Sequence, residues 1–157
     1  MWWIVGVVAI VCVLATYLTW IATRVDRLHA RAMSASAALD AALVRRAVAA
    51  SNFADEARVP ELRTLASTAL AAEIGDREAA ENALTKMLRE LPYALDAPAM
   101  AEIVSTSRRV ELTRHIHTDL VRDALTMRRR RLVRVLRFNR KYPVPSYFDI
   151  EDPQLVG

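Results

Sequence analysis

Three kinds of side chain in this sequence have chemical potential: the histidines, a lone cysteine and a dense run of arginine. His115 and His117 stand two residues apart. On a helix that spacing turns them to nearly opposite faces, so they cannot share a metal ion. Glu111 and His115 are four apart and can pair on one face. Di-metal helical bundles repeat Glu-x-x-His, with two further carboxylates, and no Glu-x-x-His occurs here. His29 is isolated. All three histidines are therefore expected to be ordinary surface or core residues. Cys12 is the only cysteine, which excludes an intrachain disulfide and a cysteine-based zinc site. The glycines, Gly6, Gly75 and Gly157, form no phosphate loop, and no Gly-x-Ser-x-Gly elbow is present. The residues thus predict no catalytic site, no cofactor, no metal and no small-molecule substrate.

The arginine run is the more informative feature. Arg128, Arg129, Arg130, Arg131, Arg134, Arg137, Arg140 and Lys141 fall in a stretch, Leu125 to Tyr142, that holds no acid. Most acids lie between Asp55 and Asp123, so the formal net charge of +4 conceals a bipolar chain. Four consecutive arginines sweep around a helix and cannot all belong to one solvated face. Three readings compete: a solvated helix whose aliphatic stems cover its neighbours, attraction to anionic lipid, or an acidic patch on a partner protein. Nucleic acid is not expected, because no stacking aromatics or recognised fold accompany the charge. Lysine appears only at Lys86 and Lys141. That skew towards arginine points to a GC-rich bacterial genome.

The elements that must position these residues are helical. Alanine, leucine and arginine are strong helix formers, and few turn residues interrupt them. From Trp2 to Thr23 there is no charged side chain. A helix of that length, at about 1.5 Å per residue, crosses the roughly 30 Å hydrocarbon core of a bilayer. Trp2 and Trp3 at one end, with Tyr17 and Trp20 towards the other, suit headgroup level. A cleaved signal peptide fits badly, since no basic residue precedes the run and no small-x-small site directly follows it. Arg24, Arg27 and Arg31 come directly after the span. The positive-inside rule then predicts an N-terminus outside and a cytoplasmic remainder at a bacterial plasma membrane.

The membrane helix is expected to continue as one rod to about Asp55, with an apolar stripe of Val25, Leu28, Ala32, Ala35, Leu39, Ala42, Val48 and Phe53. Pro60 suits the first turn of a second helix running to Ile74, with Gly75 as its stop. Asp76 can cap a third helix that ends before Pro92 and presents Ala80, Leu84, Met87, Leu88 and Leu91. Asp96 and Pro98 open a long last helix, to Tyr142, with Ile103, Val110, His117, Val121, Leu125, Leu132 and Leu136 as its stripe. The prolines at 143, 145 and 153 make the tail non-helical. The fold expected is all-α: a transmembrane helix over 2–23 running into a cytoplasmic antiparallel helical bundle over 24–142, then an extended tail over 143–157.

Short segments support a family likeness. Leu39-Asp40-Ala41-Ala42-Leu43-Val44-Arg45-Arg46, Thr118-Asp119-Leu120-Val121-Arg122-Asp123, and Phe138-Asn139 followed by Tyr142-Pro143 resemble elements of the LemA family. The Leu-Ile-Pro-Asn-Leu-Val run of that family is replaced after Arg46 by Ala47-Val48-Ala49-Ala50-Ser51-Asn52. The resemblance implies a membrane-anchored helical bundle and brings no activity with it. The plan is also similar to single-pass accessory subunits of actinobacterial respiratory supercomplexes. The expected function is a non-catalytic accessory or interaction subunit of an integral membrane protein complex, the alternative being a scaffold that reads anionic headgroups.

Overall fold

Strong helix formers fill the intervals between prolines, and helices form there. The computed structural model describes residues 1–73, 75–91, 98–129, 144, 146–153 and 155. Among them are four helices and no strand: α1 (Trp2–Ala57), α2 (Pro60–Ala71), α3 (Arg77–Glu90) and α4 (Pro98–Arg129). The chain divides into two compact units, and α1 and α4 contribute to both.

The larger unit takes Ala35–Thr118 with Tyr147–Gly157. Its core joins Ala47, Ala50, Phe53 and Ala54 of α1 to Leu62 and Ala66 of α2, Leu84 and Leu88 of α3, and Met100 and Ile103 of α4. Small alanines on α1 let neighbouring helices approach closely. A second cluster sets Leu39, Ala42 and Leu43 of α1 against Val110 of α4 and Ile150 of the tail, with Phe148 packed beside them.

The expected stripe of α1 is buried at Val25, Ala32, Ala35, Leu39, Ala42 and Phe53, whereas Leu28 is only half-buried and Val48 is exposed. On α3, Ala80, Leu84 and Leu88 are buried, and Met87 and Leu91 are half-buried. On α4, Ile103, Val110, His117 and Val121 are buried. Leu132 and Leu136 lie outside the described residues.

Two helix ends differ from expectation. α1 runs past Asp55 to Ala57, and Arg58 then adopts φ 56°. The Val59 amide donates to the Ala54 carbonyl at 2.9 Å. That is the six-residue closure of a Schellman motif, normally built on glycine, here built on arginine. Pro60 follows as the first residue of α2. α2 ends at Ala71, short of the Ile74 expected, and Gly75 does not take a positive φ. Arg77 supplies the stop instead, its Nη2 donating to the Ala72 carbonyl at 2.9 Å and its Nε at 3.3 Å. Asp76 occupies the N-cap of α3 but makes no capping side-chain hydrogen bond.

The smaller unit takes Met1–Ser34 with Asp119–Ser146. Its core is slight: Ile21 and Val25 of α1 with Met127 of α4, and Leu28 beside them.

Candidate functional site

The first candidate is the free half of α1. Ile4, Val5, Val7, Val8, Ile10, Val11, Val13 and Leu14 are each half or more exposed, Leu18 is half-buried, and Ile21 is the first buried residue. Each aliphatic side chain left in water forgoes roughly 1.5–3 kcal/mol of burial. Eight of them in succession make a contiguous apolar surface, of the kind that an apolar medium or a partner covers. The helix is long and apolar enough to cross a membrane. Its polar side chains are self-satisfied: Thr16, Thr19 and Thr23 donate their hydroxyls to the carbonyls of Cys12, Ala15 and Thr19, each at 2.9 Å. Such back-bonding removes the cost of carrying a hydroxyl into hydrocarbon.

Trp2 and Trp3 stand exposed at the start of this segment. At its other end Tyr17 stacks on Trp20 with ring centroids 6.3 Å apart, and the Arg24 guanidinium sits 5.4 Å over the Trp20 ring. An aromatic body carrying a cation suits the level where hydrocarbon gives way to headgroups. Arg27 and Arg31 follow, both exposed. Cys12 is exposed on the apolar segment, away from any histidine in sequence.

The basic run falls largely beyond view. Arg128 and Arg129 close α4, but their side chains, and Arg130, Arg131, Arg134, Arg137, Arg140 and Lys141 altogether, lie outside the described residues.

The second candidate lies inside the larger unit. Arg46 is fully buried, and its Nη2 donates to Glu81 Oε2 at 2.6 Å and to Thr85 Oγ1 at 3.0 Å. Thr85 in turn donates to the Glu81 carbonyl at 2.8 Å. Burial pushes the Glu81 carboxyl above its ordinary range, a tendency that the Arg46 charge opposes in part. Arg46 Nε and Nη1, Glu81 Oε1 and Ser107 Oγ are buried without a hydrogen-bond partner among the described residues. Beside this pair, Arg77 Nη1 donates to Asp40 Oδ1 at 2.6 Å. α3 is thereby held to α1 by one buried and one partly buried ion pair.

Sequence spacing carries a signal for Arg46: Leu39, Leu43, Arg46 and Ala50 follow at four, three and four residues, one helical face. Glu81 carries the same signal, three and seven residues before Leu84 and Leu88. The histidines behave as the spacing required. His115 is exposed, with Nε2 3.8 Å from Glu111 Oε1. His117 is buried, its Nδ1 has no partner among the described residues, and burial holds its pKa below the ordinary value. Among the described residues no group of three or more His, Cys, Asp or Glu could hold a metal ion.

No family model, curated protein or solved structure matches this chain. What it does must be argued from its own residues.

Proposed function

We propose that this chain is a single-pass, non-catalytic membrane protein whose helical part serves as an accessory subunit of a larger integral membrane complex. The carrying observation is the run of eight exposed aliphatic side chains over Ile4–Leu14, on a helix whose later turns bury Ile21 and Val25. An apolar helix left uncovered among the described residues, and continuing into packed turns, is what an anchor with a folded appendage requires. Arg24, Arg27 and Arg31 beyond the span set the orientation, N-terminus outside and the larger unit in the bacterial cytoplasm. The polar side chains at Arg46, Glu81, Asp40 and Arg77 are spent on holding α3 to α1 rather than on a reacting centre. On this reading the plan is LemA-like, and Asp40 and Arg46 lie in the segment that carries that resemblance. A respiratory assembly is the first partner to seek.

The test is recovery of the tagged, natively expressed protein in mild detergent, followed by mass spectrometry. Stoichiometric co-recovery of other membrane subunits is expected. Recovery of this chain alone would overturn the accessory-subunit reading.

A second reading is favoured by the arginines flanking the span: a scaffold that reads anionic headgroups, each cation near the surface contributing on the order of 1 kcal/mol. Arg128 to Arg131 would add to that attraction. Reconstituted protein should then cluster or change protease sensitivity with the fraction of phosphatidylglycerol, and Arg128–131 replaced by glutamine should abolish the response.

A further inference from the structure

Four of the nine arginines of the larger unit pair with a carboxylate. Arg46 pairs with Glu81, Arg63 with Asp55, Arg77 with Asp40 and Arg89 with Glu151. Arg45 of α1 and Arg109 of α4 have no such partner among the described residues. Both line one cavity of about 340 Å³, together with Ala42, Ser105 and Thr106. No acidic side chain is among the lining residues.

We propose that this cavity is a binding site for a phosphate-bearing anion. Arginines from two different helices line one opening with no acidic residue beside them, an arrangement whose positive potential attracts an anion. The planar fork of arginine donates paired hydrogen bonds that match phosphoryl oxygens, and such charge-assisted bonds are about twice as strong as neutral ones. The volume lies at the lower end of small-molecule sites, roughly 300–1,000 Å³, which suits a diphosphate or a phosphomonoester rather than a large cofactor. Ser105 and Thr106 add hydroxyls. Each is now bonded to its own helix, Ser105 to the Glu102 carbonyl and Thr106 to the carbonyls of Glu102 and Ile103. Either hydroxyl can turn its proton to an anion for the loss of one weak back-bond. This site is independent of the accessory-subunit reading, because it uses neither the span nor a protein partner.

The ligand phosphate can belong to a soluble compound or to a lipid headgroup, and two arms separate these. Full-length protein in neutral detergent is titrated with inorganic pyrophosphate at low salt by calorimetry. The same protein is titrated in parallel with nanodiscs of phosphatidylcholine with and without phosphatidic acid. The variants are Arg45→Gln and Arg109→Gln, with Arg108→Gln, an exposed residue outside the lining, as control. Thermal unfolding verifies that all three remain folded. Saturable binding of pyrophosphate, weakened about tenfold or more by either lining variant and unchanged by Arg108→Gln, is the expected result. Binding confined to phosphatidic acid with the same variant pattern also supports the site and assigns it to a headgroup. No binding in either arm, or binding indifferent to Arg45 and Arg109, overturns the proposal.

Discussion

A guanidinium with no exposed surface is an expensive thing to fold around, and Arg46 shows how the cost is met. Its Nη2 serves Glu81 and Thr85, yet Nε and Nη1 find no partner among the described residues. Removing one member of a buried pair strands the other, at about 3–5 kcal/mol. Glu81→Leu and Arg46→Met are each expected to destabilise by that amount in chemical denaturation. The double variant is expected to recover most of it, since apolar replacements of similar volume end the desolvation of both charges. A double variant no better than the worse single one would show that the pair stabilises on its own account. His117 makes a different prediction. Burial holds its folded-state pKa below the ordinary 6.5, so the unfolded chain takes up the proton first as pH falls. The stability that this residue contributes is present above pH 6.5 and is lost as the pH falls through the lower folded value. Unfolding midpoints across that range should fall more steeply for the wild type than for His117→Gln. Parallel curves would remove His117 as the cause. Neither site was fully legible in the sequence. The burial of Arg46 follows from its helical register, but a register cannot say which carboxylate on another helix will meet it.

The helices themselves were largely legible, because the punctuation is strong: Pro60 begins α2 and Pro98 begins α4. What the punctuation could not supply were stops made by arginine. Gly75 is the residue that sequence rules nominate, yet α2 ends earlier because the Arg77 guanidinium reaches the Ala72 carbonyl. Likewise α1 ends on Arg58 in a left-handed conformation, at φ 56°, where no glycine announces it. For a residue with a Cβ that conformation costs about 1–2 kcal/mol. Glycine relieves this strain but loses more freedom on folding, an opposing cost of roughly 0.5–1 kcal/mol. Arg58→Gly is therefore expected to stabilise the protein by up to about 1 kcal/mol, and Arg58→Val to destabilise it. Equal unfolding midpoints for all three forms would mean that the turn does not hold this conformation in solution. Val48 teaches the converse. It stands six residues after Ala42 and five before Phe53, off the helical rhythm, and the α1 face that turns inward there is carried by Ala47, Ala49 and Ala50.

At the scale of the whole molecule, the proposed anchor makes the sharpest demand. Placing arginine at the centre of a spanning helix costs roughly 2.5–3.5 kcal/mol of insertion free energy. Leu14→Arg is expected to raise the fraction released from membranes by alkaline carbonate, while Leu14→Ala leaves the protein in the pellet. Wild-type protein released by carbonate, or a mature mass lacking the first residues, would defeat the anchor. A different consequence comes from the tail. Ile150 is buried against Leu39, Ala42, Leu43 and Val110, and the flanking backbone is tied down on both sides. The Asp149 amide donates to Glu78 Oε1 at 3.0 Å and the Glu151 amide to Asn82 Oδ1 at 2.8 Å, while Arg114 Nη1 donates to the Ile150 carbonyl at 3.2 Å. These contacts join residues made early in synthesis to residues made after every helix they touch. Domains ordinarily fold from the N-terminus as they emerge from the ribosome. In this chain the apolar seam of α1 and α4 stays open until residue 150 has been translated and has emerged. A chain interrupted short of that point leaves the seam uncovered.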